Sequence, residues 1–167
     1  MEGCNGCLEE ERKALLELKK AFVDEHSNDS LLPSSWNIHD PESDCCSWER
    51  VTCNSTTGHV IELSLHHLKL GEAAIVNPSA NWSQISLFLS FEQLRILDLS
   101  SNRLPDWNAT AGYSSFSRLQ RLVKLDITNN SFTNSILPSL SALTSLKNLN
   151  LRSNRFEGSI SEQGMHV

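Results

Sequence analysis

One hydrophobic stencil recurs along the 167-residue chain, with apolar residues at the first, fourth and sixth places, Asn at the ninth and an apolar residue at the eleventh. It reads Leu94, Leu97, Leu99, Asn102, Leu104; then Leu122, Leu125, Ile127, Asn130, Phe132; then Leu146, Leu149, Leu151, Asn154, Phe156. An imperfect earlier copy reads Val60, Leu63, Leu65, Leu68, Leu70. Self-similarity in one register is the mark of stacked units, none of which can bury its apolar face alone.

The stencil has a physical reading. In each unit a short strand, around Leu97 to Leu99, Leu125 to Ile127 and Leu149 to Leu151, turns alternate side chains inward. Neighbouring units then stack these residues into one core, each buried aliphatic side chain contributing roughly 1.5–3 kcal/mol. Asn102, Asn130 and Asn154 fall where the backbone turns sharply, and an amide side chain offers donors and an acceptor to main-chain groups left unpaired there. Leucine cannot do this, so Leu68 marks the first copy as an atypical end unit. The expected fold is an α/β solenoid, a leucine-rich-repeat stack with short parallel strands on its concave face.

The copies are spaced 34, 28 and 24 residues apart, so only the last interval is compact. Residues 71–90 and 105–115 contain Pro78, Asn81, Pro105, Asn108 and Gly112 and are read as loops outside the strands. In the third copy, Phe132, Ile136, Leu140, Leu143 and Leu146 form an apolar run that ties it to the fourth.

Residues 1–59 are organised differently. They hold 12 acidic and 5 basic side chains, against 8 and 9 in residues 60–167. Glu9 to Glu25 carries Ala14, Leu15, Leu18, Ala21 and Phe22 at amphipathic-helix spacing, with Glu9, Glu10 and Glu11 at its positive end. The helix is expected to lie against the first repeat. Leu31, Leu32, Pro33 and Trp36 form an apolar patch, and Trp48 and Val51 are expected to face the core. All five cysteines, Cys4, Cys7, Cys45, Cys46 and Cys53, lie in this part. Disulfides would let a short cap cover a solenoid end. Cys4 and Cys7 also have Cys-x-x-Cys spacing, which admits a redox motif or half a zinc site, but no second such pair accompanies them. The odd cysteine, assigned to Cys4, is free or paired elsewhere.

Several function classes are excluded. The best apolar stretch, Ile85 to Phe91, falls far short of the roughly 20 residues of a membrane span. Neither half shows the basic excess of a nucleic-acid binder. No Gly-x-Ser-x-Gly, Gly-rich phosphate loop or His-Glu-x-x-His is present, so no enzymatic activity and no cofactor are expected. His66 and His67, read as neighbours on a strand, would point to opposite faces and share no metal. Asn28, Asn54, Asn81, Asn108 and Asn129 each head an N-glycosylation tripeptide, which with the cysteines favours the secretory pathway. Met1-Glu2-Gly3-Cys4 lacks a basic and apolar leader, so no signal peptide is expected within the chain.

Cys7-Leu8-Glu9-Glu10-Glu11-Arg12, Ala14-Leu15-Leu16, Trp36, Asp44-Cys45-Cys46-Ser47-Trp48, Val51-Thr52-Cys53 and Gly58-His59-Val60 resemble the plant-type N-terminal cap of leucine-rich-repeat proteins, in particular plant receptor-like proteins. These are similar cell-surface receptors with a repeat ectodomain, one membrane span and no kinase. The resemblance implies disulfides Cys7–Cys45 and Cys46–Cys53. It also implies a cap over residues 1–59 and about four repeats over 60–167, an incomplete solenoid without a C-terminal cap. Phe156, Gly158 and Ile160 fit the plant-specific repeat ending with Ser161 in place of Pro, and Phe132, Asn134 and Ile136 fit it with Asn in place of Gly.

By the same resemblance the chain is an extracellular or plasma-membrane recognition module, the N-terminal end of an ectodomain. It would bind a peptide, glycan or protein ligand, or a co-receptor, in defence or development signalling. The candidate concave surface is Glu62, Ser64, His66, Arg95, Asp98, Ser100, Lys124, Asp126, Thr128, Lys147, Asn150 and Arg152. Two alternatives stand beside this: an inhibitor of fungal polygalacturonase, whose related proteins have a similar cap and repeats, and a truncated product without a function of its own.

Overall fold

The computed structural model describes residues 6–22, 33–37, 39–40, 43–68, 88–106, 116 and 118–158. Cys4, Asn28, Leu31, Leu32, Leu70, Asn81, Asn108 and Ile160, the side chains of Ala21 and Phe22, and most of the two long inter-repeat intervals lie outside the described residues.

The chain opens with α1, Glu9–Phe22, whose Ala14, Leu15 and Leu18 are buried on one face. A 3-10 turn at Cys45–Ser47 leads into β1, Val51–Cys53, which pairs antiparallel with β2, Val60–Ser64. Then β3, Ile96–Asp98, β4, Lys124–Asp126, and β5, Asn148–Asn150, add one by one in parallel. The order in the sheet is therefore the order in the chain. Each strand is only three to five residues long because every unit returns for the next layer.

The register stacks like on like. Leu63 faces Leu97, Leu97 faces Leu125 and Leu125 faces Leu149. First- and sixth-place residues Val60, Leu65, Leu94, Leu99, Leu122 and Ile127 join them in one core that continues into the cap. On the outer side of the third unit, a 3-10 turn at Asn134–Ile136 runs into α2, Leu137–Ser141, which buries Ile136 and Leu140. Asn134 stands where the next unit has Gly158. Its amide donates to the Glu157 carbonyl and accepts the Glu157 N–H, a side-chain link between two units that a glycine could not make.

At the eighth place of every unit, His67, Ser101, Asn129 and Ser153 have φ between 55° and 58°, the left-handed region. None is glycine, so each carries a conformational cost that the surrounding structure must offset. It does so by a main-chain chain of bonds: His67 N–H donates to Ser100, Ser101 to Thr128 and Asn129 to Arg152. The left-handed turn also overturns the strand reading of His66 and His67. Both lie in the turn after β2, and their rings meet edge to face with centroids 5.5 Å apart.

The cap is held by a small number of specific contacts. Trp36 and Trp48 stack at 5.7 Å, and each indole N–H is used, on the Glu49 carbonyl and on Ser43 Oγ. Arg12 donates to the carbonyls of Ser43 and Asp40, and Lys19 to that of Trp36, so α1 is tied to the segment that follows it. Cys7 is bonded to Cys45 and Cys46 to Cys53. One oxygen of Asp44 accepts the N–H of both Cys7 and Cys46 at 2.9 Å, placing the two bridges side by side. Gly6 has φ +105°, and a Cβ there would meet that same oxygen at 3.1 Å, so only glycine fits.

A candidate recognition face on the concave sheet

The strand pairings turn the sequence list of outward residues into rows that cross the solenoid. The fifth-place row is Ser64, Asp98, Asp126, Asn150, in register across four strands. The third-place row is Glu62, Ile96, Lys124, Asn148. Arg95 and Lys147 precede their strands and belong to another row, with Ile61 and Val123. Sequence reasoning missed Ile61, Ile96 and Val123 because it selected polar side chains rather than whole columns, and it passed over Asn148 although that residue is polar. The two-residue period of a strand already marks Ile96 and Asn148 as outward, but it gives Ile61 and Val123 the inward parity of the fourth and sixth places, and the structure leaves both half-buried.

The acidic row is held in place locally. Asp98 accepts the N–H of Ser100 and Asp126 that of Thr128, each at 2.9 Å. Asp126 also accepts from the Asn150 amide at 3.2 Å, and His66 Nδ1 lies 2.8 Å from Ser64 Oγ and 3.7 Å from Asp98. Lys124, Lys147 and Arg152 are exposed beside it. The face is thus a set of polar groups on a rigid frame: Arg95, Lys124 and Lys147 at or before the strand starts with Glu62 beside them, Asp98 and Asp126 in the fifth-place row, and Arg152 beyond it.

Beneath the end of each strand runs a ladder of buried amides. Asn102 donates to the carbonyls of Leu65 and Leu99 and accepts the N–H of Leu68. Asn130 donates to Leu99, Ile127 and Thr128 and accepts from Asn102 and Leu104. Asn154 donates to Ile127, Leu151 and Arg152 and accepts from Phe132. Every amide therefore bonds its own unit and the one before it, which fixes the spacing between rows on the face above. Leu68, at the ninth place of the first unit, is buried and supplies no side-chain bond of this kind.

Glu11 is the site residue whose role the sequence concealed. Read as a helix-dipole partner beside Glu9 and Glu10, it is instead 1 % exposed and turned towards the first repeat. Its carboxylate accepts the Val60 N–H at 2.9 Å and lies 3.1 Å from His59 Nδ1. Burial pushes its pKa above the usual carboxylate value, against the opposing pull of Val60 and His59. Glu9, by contrast, pairs at the surface with Arg12 and Lys13.

Of the glycosylation candidates, two lie among the described residues. Asn54 is half-buried and its side-chain oxygen accepts from the N–H of Thr56 and Thr57; Asn129 is exposed at the left-handed turn, its amide 3.3 Å from Ser101 Oγ. Cys7, Cys46 and Asp44 lie close enough together to suggest a metal site, but both sulfurs are already consumed in disulfides.

Comparison with known proteins agrees with this architecture. The leucine rich repeat N-terminal domain family matches residues 8–54, and the leucine rich repeat family matches 121–143 and 145–165. Receptor-like protein 14 of Arabidopsis thaliana is 41 % identical over 165 residues, which cover 95 % of this chain and 16 % of that protein. The crystal structure of PEPR1–AtPEP1 superposes with a TM-score of 0.56 at 22 % identity, over 93 % of this chain and 19 % of that one, and shows the shared fold alone. The ectodomain of the Arabidopsis thaliana receptor kinase GASSHO1/SCHENGEN3, in complex with CASPARIAN STRIP INTEGRITY FACTOR 2, superposes with a TM-score of 0.53 at 29 % identity, over 90 % of this chain and 19 % of that one.

Fold and cap together define a leucine-rich-repeat module that begins with a leucine-rich-repeat N-terminal domain. The chain belongs to the plant leucine-rich-repeat receptor-like proteins, whose cap and first repeats it matches. It spans about one-sixth of the length of the curated relatives, 16 % in the case of receptor-like protein 14.

Proposed function

We propose that the chain is the N-terminal part of an extracellular ectodomain that recognises a peptide ligand or a partner receptor in defence or development signalling. The observation that carries this reading is the concave face itself. Its rows of solvent-facing side chains are held in register by main-chain bonds and by the buried amide ladder, so binding would order few groups that are not already ordered. The likeness to a receptor kinase ectodomain in complex with CASPARIAN STRIP INTEGRITY FACTOR 2 supports the same reading. Two disulfides fit an oxidising compartment. No helix of the described residues is long and apolar enough to cross a membrane. Residues 1–59 are the cap in this reading and 60–167 the first repeats, with N-linked glycans on Asn54 and Asn129.

The test is surface cross-linking of the full-length protein expressed in plant cells, followed by retrieval and mass spectrometry. A reproducible extracellular partner, lost when Lys124 and Asp126 are both replaced by Trp, which fills the middle of the face without changing its net charge, is the expected result. Recovery of the same proteins by the wild type and the variant would sink the reading. Peptide-N-glycosidase treatment of the same material should shorten it, and glycan-free Asn54 and Asn129 would remove that part of the proposal.

A further inference from the structure

We propose that the edge of the concave sheet where the strands begin is a docking groove for an extended acidic peptide that also carries aliphatic side chains; this rests on the recognition reading above and narrows its ligand. The second-place residues of the four units read Ile61, Arg95, Val123, Lys147, apolar and cationic in alternation. This row is rigid. Arg95 N–H donates to the Ile61 carbonyl at 2.8 Å, Val123 to Arg95 at 2.8 Å and Lys147 to Val123 at 2.9 Å. Strands in a sheet lie about 4.8 Å apart, so like side chains recur about every 9.6 Å along the solenoid. Arg121, from the turn before β4, joins Arg95 and Lys147 in the wall of the groove, with Asn54 at the cap end and Gln93 and Ser145 between.

The three cations are exposed, and no carboxylate of a described residue forms an ion pair with them. The acidic side chains of the same face lie on other rows: Glu62 on the third-place row, and Asp98 and Asp126 on the fifth-place row, where they are engaged by the amides of Ser100 and Thr128. The groove is therefore a positive strip on a chain of net charge −6, a local feature and not a consequence of bulk composition. The alternation selects the ligand. A carboxylated polysaccharide presents charge and hydroxyls at each unit and nothing to cover Ile61 and Val123. An extended peptide presents acidic and aliphatic groups on one edge and satisfies both.

The experiment measures fluorescence anisotropy of labelled probes with the intact disulfide-bonded ectodomain. The probes are a short peptide in which Glu and Leu are spaced by Gly, its Lys-Leu and Glu-Ser counterparts, and an oligogalacturonate. The Glu-Leu peptide should bind best and weaken as salt is raised. Arg95→Glu and Lys147→Glu should each weaken it by about three- to tenfold, with Arg95→Gln intermediate, while Lys13→Glu on α1 has no effect. Thermal melts of each variant separate lost contacts from lost folding. Equal binding of the Glu-Ser peptide or the oligogalacturonate, or affinities unmoved by both reversals, would overturn the proposal. Retention of a cell-surface partner alongside such a failure leaves the recognition reading standing; loss of both removes it as well.

Discussion

Glu11 reaches across 49 residues of sequence to accept the backbone N–H of Val60 at 2.9 Å, so the first residue of the repeat sheet is held by the first turn of the cap helix. Cap and repeats are thereby one folding unit at this joint. Replacing Glu11 with Ala leaves a buried N–H without a partner and should cost about 1–3 kcal/mol in urea unfolding. Gln keeps an acceptor and avoids burying a charge, so Glu11→Gln should lie within about 1 kcal/mol of the wild type at neutral pH. The raised folded-state pKa sets the sign of the pH dependence. Folding takes up a proton, so the stability linked to this group is fully present below the unfolded value, about 4.3, and is lost as pH rises through the folded value. Glu11→Gln should flatten that decline in melts run from about pH 4 to about pH 8, and an unchanged slope would show that other groups produce it.

The amide ladder predicts a gradient. Asn102 is fully buried, Asn130 is 8 % exposed and Asn154 is half-buried, so water can replace less and less of what is lost going back towards the cap. Asn102→Leu would remove the side-chain partner of the Leu68 N–H and of the Leu65 carbonyl, while the Leu99 carbonyl keeps its bond from Asn130, and should cost about 2 kcal/mol or more, each unsatisfied buried group contributing roughly 1–3 kcal/mol. Asn154→Leu should cost about 1 kcal/mol. Equal losses at the two positions in chemical denaturation would contradict a burial-graded ladder.

The fold was readable because its signal is redundant. Leu97, Leu125 and Leu149 sit at one place in successive copies, and each restates the same inward direction, so the parallel stack follows from the pattern without a contact map. The cap resemblance rested on Cys7, Trp36, Cys45, Cys46, Trp48 and Cys53, residue types whose burial or bonding is unusually demanding. What the sequence could not supply was reach between distant segments. Glu11 beside Glu9 and Glu10 looks like dipole chemistry, and nothing within a helical turn announces Val60. The left-handed eighth place was hidden because Ser101 and Ser153 are not residues that favour it, so the more tolerant His67 and Asn129 form no visible series with them. The binding face was half visible: choosing polar residues found Arg95 and Lys147 but not Ile61 and Val123, which share their row.

The two disulfides should contribute unequally. On the chain-entropy account, closing the 38-residue separation of Cys7–Cys45 is worth about 4 kcal/mol and the 7-residue separation of Cys46–Cys53 about 2 kcal/mol. The paired variant Cys7→Ser with Cys45→Ser should therefore melt lower than Cys46→Ser with Cys53→Ser. Burial adds to this, since Cys45 is fully buried and Cys46 is not. Reductant should release α1, and hydrogen exchange should then rise in β1 and β2, which the cap covers. An unchanged melt in reductant would contradict a disulfide-dependent cap.

Ser139 offers the opposite kind of test. It is 1 % exposed in α2, and its hydroxyl has no hydrogen-bond partner. The residue thus bears the cost of burying a polar group without the return of a bond, and it also occupies a helical position where alanine is intrinsically better. Ser139→Ala removes both penalties and leaves a space of one oxygen atom. The variant should be more stable by about 0.5–1.5 kcal/mol, read as a raised thermal midpoint with an unchanged denaturant slope. Ser139→Val, which restores the volume without the hydroxyl but adds β-branching inside a short helix, should gain less. A loss of stability in Ser139→Ala would mean that packing of the oxygen, and not its missing bond, decides the balance at this position.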